Sequence, residues 1–491
     1  MILNHSKHKE MSLNKIRNYP FLLITISLFI VLIVPTLIKD GMFLDGVNYA
    51  AISKNLANGI GTFWQPHYTK TLYTSFHEQP PLVFGIQAIF FKLLGNHIYV
   101  ERIYSFLTGI LTLLLIIKIW NFIHTKFKSK QLNWLPVSFW IITPIVFWSY
   151  SNNMLENTLG IFCLASIFYI IKSILANTRQ SVLYIFLASL FIVAGFLSKG
   201  FVALYPLSTV FIYWLVFRKL SFQKMLILSV LIFFIATLIL SLIMIIQHDA
   251  FKNLSTYFNQ QVIKSLSGAR EVSGGRFNIL NRLYKELLPV IFISMIFIVI
   301  KFRKNKALIL HDSSVLNNFL FFLFIGISAS LPLMISPKQL GFYLVPSIPY
   351  YAIGFGSLIM PILINWINKI DISKRGFQMF KMISIISLAG AIVISISQVG
   401  KTGRDKVKLH DIYKIGKVID NGSLISVSEY ICKDWWLIAY FSRYFYISLD
   451  CKNTNHEYYL YNGNSDICLS ANYSECLMQL KRYRLFKLQK K

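Results

Sequence analysis

Acidic residues are scarce in this chain. Its 491 residues hold 20 Asp and Glu against 49 Lys and Arg, a formal charge of +29, and charged residues make up only 14% of the whole. Cysteine is nearly absent too, with five residues and no close CxxC pair, which argues against a zinc ribbon. There is no P-loop and no dinucleotide-type glycine motif, so nothing points to a nucleotide-bound donor. No ten-residue alternation suggests a membrane barrel, and no internal repeat suggests a transporter built from inverted halves.

What is abundant is apolar sequence: 55% of residues are hydrophobic and mean hydropathy is +0.57. Apolar stretches of membrane-crossing length recur, and only helices can satisfy their own backbone in hydrocarbon. Spans are predicted near 20–38, 98–123, 133–150, 155–174, 181–198, 200–217, 225–246, 287–300, 316–335, 340–360 and 378–397. The apolar helix 81–94 fits an interfacial position better than a crossing. The first run has a basic flank without a small-residue cleavage site and reads as a retained span.

The positive charge is not gathered on one face, as nucleic-acid binding would require. It falls in short turns: Lys7, Lys9, Lys15 and Arg17; Lys126, Lys128 and Lys130; Arg218, Lys219 and Lys224; Lys301, Arg303, Lys304 and Lys306; Lys369, Lys374 and Arg375. With the N-terminus cytoplasmic, every cluster falls inside, as the positive-inside rule expects. Anionic membrane lipid is the partner such charge attracts. Residues 39–97, 247–286 and everything beyond about 400 then lie outside.

The predicted architecture is therefore an all-α polytopic membrane domain over 1–399, with about eleven to thirteen spans, and a small extracytoplasmic α/β domain over 400–491. In that tail DIYKIGKVID, SLISVSEY, DWWLIAYFSRYF and YISLD read as helix, strand, helix, strand. Cys163 lies within a span and reads as packing. Cys432, Cys451, Cys468 and Cys476 lie in the tail, where disulfides in any of three pairings, free thiols or a metal site stay open.

With so few acids, their positions are informative. Asp45 follows the first span and precedes GVNYAAISKNLA, where it serves as a helix N-cap, a catalytic base, or both. Asp40 is its weaker twin. In HEQPPL the pair Pro80 and Pro81 starts a helix whose N-terminus suits an anion, with His77 and Glu78 alongside. Glu101, Arg102 and Glu156 lie at predicted outer span ends, the level of Asp45. Lys199 and Lys338 break the inside-positive pattern, with Tyr343 close to the latter. Arg270 and Arg276 add outward cations, a set suited to clamping a phosphate.

These residues carry a resemblance. HEQPPLVFGIQAIFFKLLGNHIYVERIYSFLTG resembles the PPL helix and R-x-x-S-x-x-x-G span of dolichyl-phosphate-mannose-protein mannosyltransferase-like enzymes. GFLSKGFVALYPL is similar to their S-K-G-x-x-x-L-x-P span, and SPKQLGFYLVPSIPY to the span of lipid A aminoarabinose transferases in which a Lys precedes Y-x-x-P-x-x-P. The motifs follow in order over about the first 360 residues. The resemblance implies a bacterial GT-C glycosyltransferase of the cell inner membrane, moving a sugar from a polyprenyl-phosphate donor to a lipid, glycan or protein acceptor on the outer face. It implies Asp45 and Glu156 as catalytic. It also implies that Lys199, Lys338 and Tyr343 lie near the carrier phosphate; by their own placement Arg270 and Arg276 are expected to join that clamp, and His77, Glu78, Glu101 and Arg102 to face substrate. No cofactor is demanded, and a divalent metal stays open. Two positions depart from the pattern: Gly46 stands where many members have a second acid, and Gln79 where many have Lys. A ligase or polymerase of oligosaccharides and a lipid-linked saccharide flippase are the competing readings.

Overall fold

The computed structural model describes residues 2–125, 132–267, 275, 277–304, 313–463 and 472–489. Arg270, Arg276, Cys468, Lys126, Lys128, Lys130 and Lys306 therefore lie outside the described residues. The chain begins with α1 (Ile2–Ile38), α2 (Leu44–Ala57), α3 (Leu82–Leu94) and α4 (Val100–Ile123). Two short helices follow, α5 (Trp134–Ile141) and α6 (Pro144–Tyr150), then α7 (Leu155–Leu175), α8 (Thr178–Lys199), α9 (Thr209–Phe217) and α10 (Phe222–Ile246). After α11 (His248–Tyr257) and α12 (Lys264–Leu266) come α13 (Asn278–Lys304), α14 (Ser313–Ser330), α15 (Ile348–Asn368) and α16 (Arg375–Ile396).

Nine helical stretches among the described residues are long and apolar enough to cross a membrane, and the protein is a multi-pass membrane protein. The difference from the eleven expected crossings has two physical sources. The stretch Thr178–Phe217 counts once but holds two crossings. At Gly200, with φ +71°, the chain reverses, and a Cβ on Gly195 would come within 3.1 Å of that of Ala203. Those residues would stand roughly 12 Å apart along a straight helix. The expected span 133–150 is instead broken before Pro144 into α5 and α6, each too short to count. Helix α3 has 13 residues, about 20 Å of rise, and falls short of a crossing.

The spans Leu155–Leu175 and Gly341–Asn368 are the most enclosed, with 72% and 78% of their apolar windows buried, against 17% for Phe222–Ile246, Asn278–Arg303 and Arg375–Ile396. Glu156 and Tyr343, two of the candidate site residues, lie on the enclosed pair. Arg17 Nε donates to the Ile370 carbonyl at 2.8 Å, placing the start of α1 beside the basic turn after α15. Asp40, past the other end of α1, bridges Thr402 at the start of the tail. These two points lie roughly 35 Å apart by helical rise, so this basic turn and the site occupy opposite ends of the bundle.

The tail folds as α17 (Lys406–Ile415), β1 (Leu424–Val427), α18 (Glu429–Cys432), α19 (Trp435–Phe445), β2 (Ser448–Asp450), β3 (Tyr458–Tyr461), β4 (Tyr473–Glu475) and β5 (Arg484–Leu488). The sheet order is β2-β1-β3-β5-β4, with β1 parallel to β2 and β3, and β5 antiparallel to β3 and β4. Cys432 and Cys451 form a disulfide that ties α18 to the segment after β2.

Candidate active site

Asp45 stands in the first turn of α2, but it is not the cap. Phe43 holds that position, and its side chain caps nothing. What fixes α2 is the turn between α6 and α7. Asn152 Oδ1 accepts from the Phe43 backbone N–H at 3.0 Å, and Asn153 Nδ2 donates to the Gly46 carbonyl at 3.0 Å. Gln87 of α3 donates to Asn153 Oδ1 at 2.7 Å. A Cβ on Gly46 would lie 2.0 Å from the Asn152 carbonyl oxygen, so no side chain fits there. The missing second acid has this steric reason. Phe43, Trp148 and Phe342 pack as an aromatic seat beneath the same turn, with centroids 5.0–6.1 Å apart.

Glu156 begins α7 fully buried and forms an ion pair with Lys199, at the end of α8. Its second oxygen, Oε2, has no hydrogen-bond partner. The Lys199 ammonium also lies 4.8 Å from the centre of the Tyr343 ring and 5.8 Å from that of Phe342. Tyr257 of α11 reaches the Lys199 carbonyl at 3.4 Å, and a Cβ on Gly200 would collide with that phenol at 2.0 Å. The S-K-G run thus turns sharply under Tyr257 and delivers the lysine to Glu156.

The Asp45 carboxylate makes no hydrogen bond or ion pair with any described residue. Burial pushes its carboxyl up to about 6; Lys199 and Lys338 oppose the rise, and Glu156 and Glu78 add to it. Four sequence candidates, Glu156, Lys199, Lys338 and Glu78, therefore share one electrostatic neighbourhood with Asp45. Tyr49, one turn on from Asp45, joins them. Burial together with Asp45, Glu156, Tyr343 and Glu78 holds its phenol neutral, well above the usual range. Sequence reading passed over Tyr49, although its i, i+4 relation to Asp45 was a usable signal.

Other candidates go elsewhere. His77 Nδ1 meets Asn253 Nδ2 at 2.9 Å, clasping the first loop to α11, and burial lowers its basicity with help from Lys252. Asp249 accepts from Gln65 at 2.8 Å in the same clasp. Glu101 and Arg102 belong to a separate junction. Glu101 Oε2 takes Arg443 Nη2 at 2.6 Å and Oε1 takes Arg102 Nη1 at 3.1 Å. Arg102 also reaches Asp40 at 3.4 Å and the Lys39 carbonyl at 3.2 Å. Asp40 accepts from Tyr413 at 2.7 Å and Tyr444 at 2.9 Å. Lys54 donates to the carbonyls of Arg443 and Tyr444; burial, with Arg443 nearby, lowers its ammonium to about 8. This network fastens the tail to the first loop.

A metal finds a poor set of ligands here. Among the described residues no group of three or more His, Cys, Asp or Glu is placed to hold one. Asp45 already feels two ammoniums, and Glu156 is paired with one of them. No step is routed through a metal.

Comparison with known proteins fits this geometry. Residues 78–246 match the family model for dolichyl-phosphate-mannose-protein mannosyltransferase. The fold is similar to that of ArnT from Cupriavidus metallidurans bound to undecaprenyl phosphate, with TM-score 0.66 and 13% identity over 95% of this chain and 97% of that one. The apo state of the same enzyme gives TM-score 0.64 at 14% identity, over 95% and 96%. The archaeal oligosaccharyltransferase AglB from Archaeoglobus fulgidus, in complex with an inhibitory peptide and a dolichol-phosphate, gives TM-score 0.55 at 11% identity, over 91% of this chain and 69% of that one. No curated protein sequence matches significantly. The family segment covers about a third of the chain, and the fold over nearly its whole length is similar to that of ArnT.

Proposed function

We propose that the protein transfers a sugar from a polyprenyl-phosphate donor to a lipid, glycan or protein acceptor at the outer face of the bacterial inner membrane. The observation that carries this reading is the cluster itself: Asp45 stands unbonded among Lys199, Lys338, Glu156 and Glu78 at the end of the bundle away from the basic turn after α15. A carboxylate and two cations at that level suit a donor whose leaving group is an anionic phosphate.

In this reaction the acceptor oxygen attacks the anomeric carbon and the bond from that carbon to the phosphate oxygen breaks. The polyprenyl phosphate leaves with the bonding pair and an added negative charge. Lys199 and Lys338 face that charge, with Tyr343 holding Lys199 against its ring. Asp45 orients the acceptor hydroxyl and takes its proton. One displacement inverts the anomeric centre. Glu156 acts through Lys199 and is a positioning residue in this scheme.

Support comes from the fold and from similar enzymes bound to undecaprenyl phosphate or a dolichol-phosphate. The test is transfer by purified protein from a panel of polyprenyl-phosphate sugars. Stereochemical inversion and loss of transfer in Lys199→Met are expected. A retained anomer, or no transfer from any donor, would overturn the reading.

A further inference from the structure

Two exposed aromatic rings, one from the first loop and one from the tail, form a patch that the reaction above leaves unused. Tyr73, from the first loop, and Trp435, the first residue of α19, have ring centroids 6.5 Å apart at 39°. They remain 42% and 39% exposed. Tyr73 also meets Phe76 edge-on at 5.8 Å, Phe76 meets Phe84 at 5.7 Å, and Phe84 lies 5.9 Å from Tyr49. An aromatic path thus connects the surface to the helix that carries Asp45.

The surface is built and held. Tyr73 has φ +50°, a left-handed backbone that is costly for a bulky aromatic and that persists only when the surroundings impose it. Here they do. The Tyr68 backbone N–H donates to the Tyr73 carbonyl at 3.1 Å, and that of Phe76 to the Pro66 carbonyl at 2.7 Å. Thr71 donates to the Leu449 carbonyl at 2.7 Å and Ser448 accepts from the Lys70 backbone at 3.0 Å, so the loop is fastened to β2. Glu78 lies close enough to the Tyr73 hydroxyl to help burial hold it neutral, and its charge also acts weakly on Asp45.

Both residues lie outside the candidate spans, so lipid does not account for their exposure. A sugar ring presents C–H groups on its face and hydroxyls on its rim. Flat aromatic rings suit the first and a carboxylate beside a phenol suits the second. The geometry points to Tyr73 and Trp435 as the seat of a saccharide unit of the acceptor, next to Glu78. This deepens the transfer reading and rests on it: the acceptor carries sugar before it receives more.

The experiment uses the full chain in nanodiscs with Trp435→Ala and Tyr73→Asn, the latter chosen because Asn tolerates positive φ. Binding of neutral oligosaccharides is followed by saturation-transfer NMR without turnover, and transfer to saccharide and unglycosylated peptide acceptors is assayed in parallel. Weaker saccharide contacts and an acceptor KM raised about three- to tenfold are expected, with kcat and the donor KM little changed. An unchanged acceptor KM in both variants, or efficient transfer to peptide in preference to saccharide, overturns the proposal. If the wild type transfers nothing, the transfer reading fails, and binding alone decides the seat. Saccharide contacts that weaken in Trp435→Ala uphold it, and no saccharide binding by the wild type overturns it.

Discussion

Asp40 and Asp45 are five positions apart in one loop, and their surroundings are opposite. Both Asp40 oxygens are occupied, by Arg102, Tyr413, Tyr444 and the Gly41 backbone. Its neighbour Glu101 likewise uses both oxygens on Arg102 and Arg443. Around Asp45 no such closure exists: its own carboxylate is unbonded and Glu156 keeps a buried oxygen without a partner. Buried charge in the first cluster holds two parts of the chain together. In the second it is kept available, at a cost in stability, which is the usual condition of a reactive site.

The comparison can be broken most forcefully through Lys199. Lys199→Met removes the cation that the proposed reaction sets against the leaving phosphate and strands the buried Glu156; transfer is expected to fall about 10²–10³-fold, the effect of losing one preorganised charge-stabilising group. Steady-state kinetics on folded protein checks this. On the junction side, Glu101→Ala leaves Arg443 and Arg102 without their shared anion and should destabilise by about 3–5 kcal/mol, read as a lower unfolding midpoint and faster proteolysis between tail and first loop. Gly46→Ala should shift α2 away from Asn152, with a smaller loss of stability and a loss of transfer out of proportion to it. The smallest effect concerns pH. Because Asp45 must be ionised to accept a proton, the acid limb of the rate profile is expected near 6. Lys338→Met should move that limb upward, since Lys338 favours the ionised form, and Glu78→Gln should move it downward.

Much of this was legible in the sequence because membrane spans announce themselves by length, because outward lysines depart from the positive-inside bias, and because acids are scarce in this chain. Asp45, Glu156, Lys199 and Lys338 stood out on those grounds, and Glu78 by its place beside the Pro80–Pro81 helix start; the common outer level was read for Asp45, Glu101 and Glu156. The division between the two clusters was not. Glu101 and Arg102 had the same signature as Glu156, a charge at an outer span end. Their partner Arg443 lies on α19, far along the chain, where no local pattern reveals the pairing. Gly46 looked like a gap in a motif and is a contact with the Asn152 carbonyl. In the tail, the helix-strand-helix-strand order through β2 followed from periodicity, whereas β4, three residues long, carried too little pattern to be read.

The most direct measurement sets Asp45→Asn against Asp40→Asn in one preparation, recording thermal midpoint and transfer from the polyprenyl-phosphate panel. At neutral pH an Asp45 carboxylate whose proton affinity is raised in the fold destabilises it, a penalty present above about pH 6 and absent below the unfolded value. Asp45→Asn should therefore keep or raise the midpoint while transfer falls about 10²–10⁴-fold. Asp40→Asn should lower the midpoint, with transfer falling only as the folded fraction does. Transfer intact in Asp45→Asn, or abolished in a fully folded Asp40→Asn, would contradict the assignment of the open cluster as the reactive one.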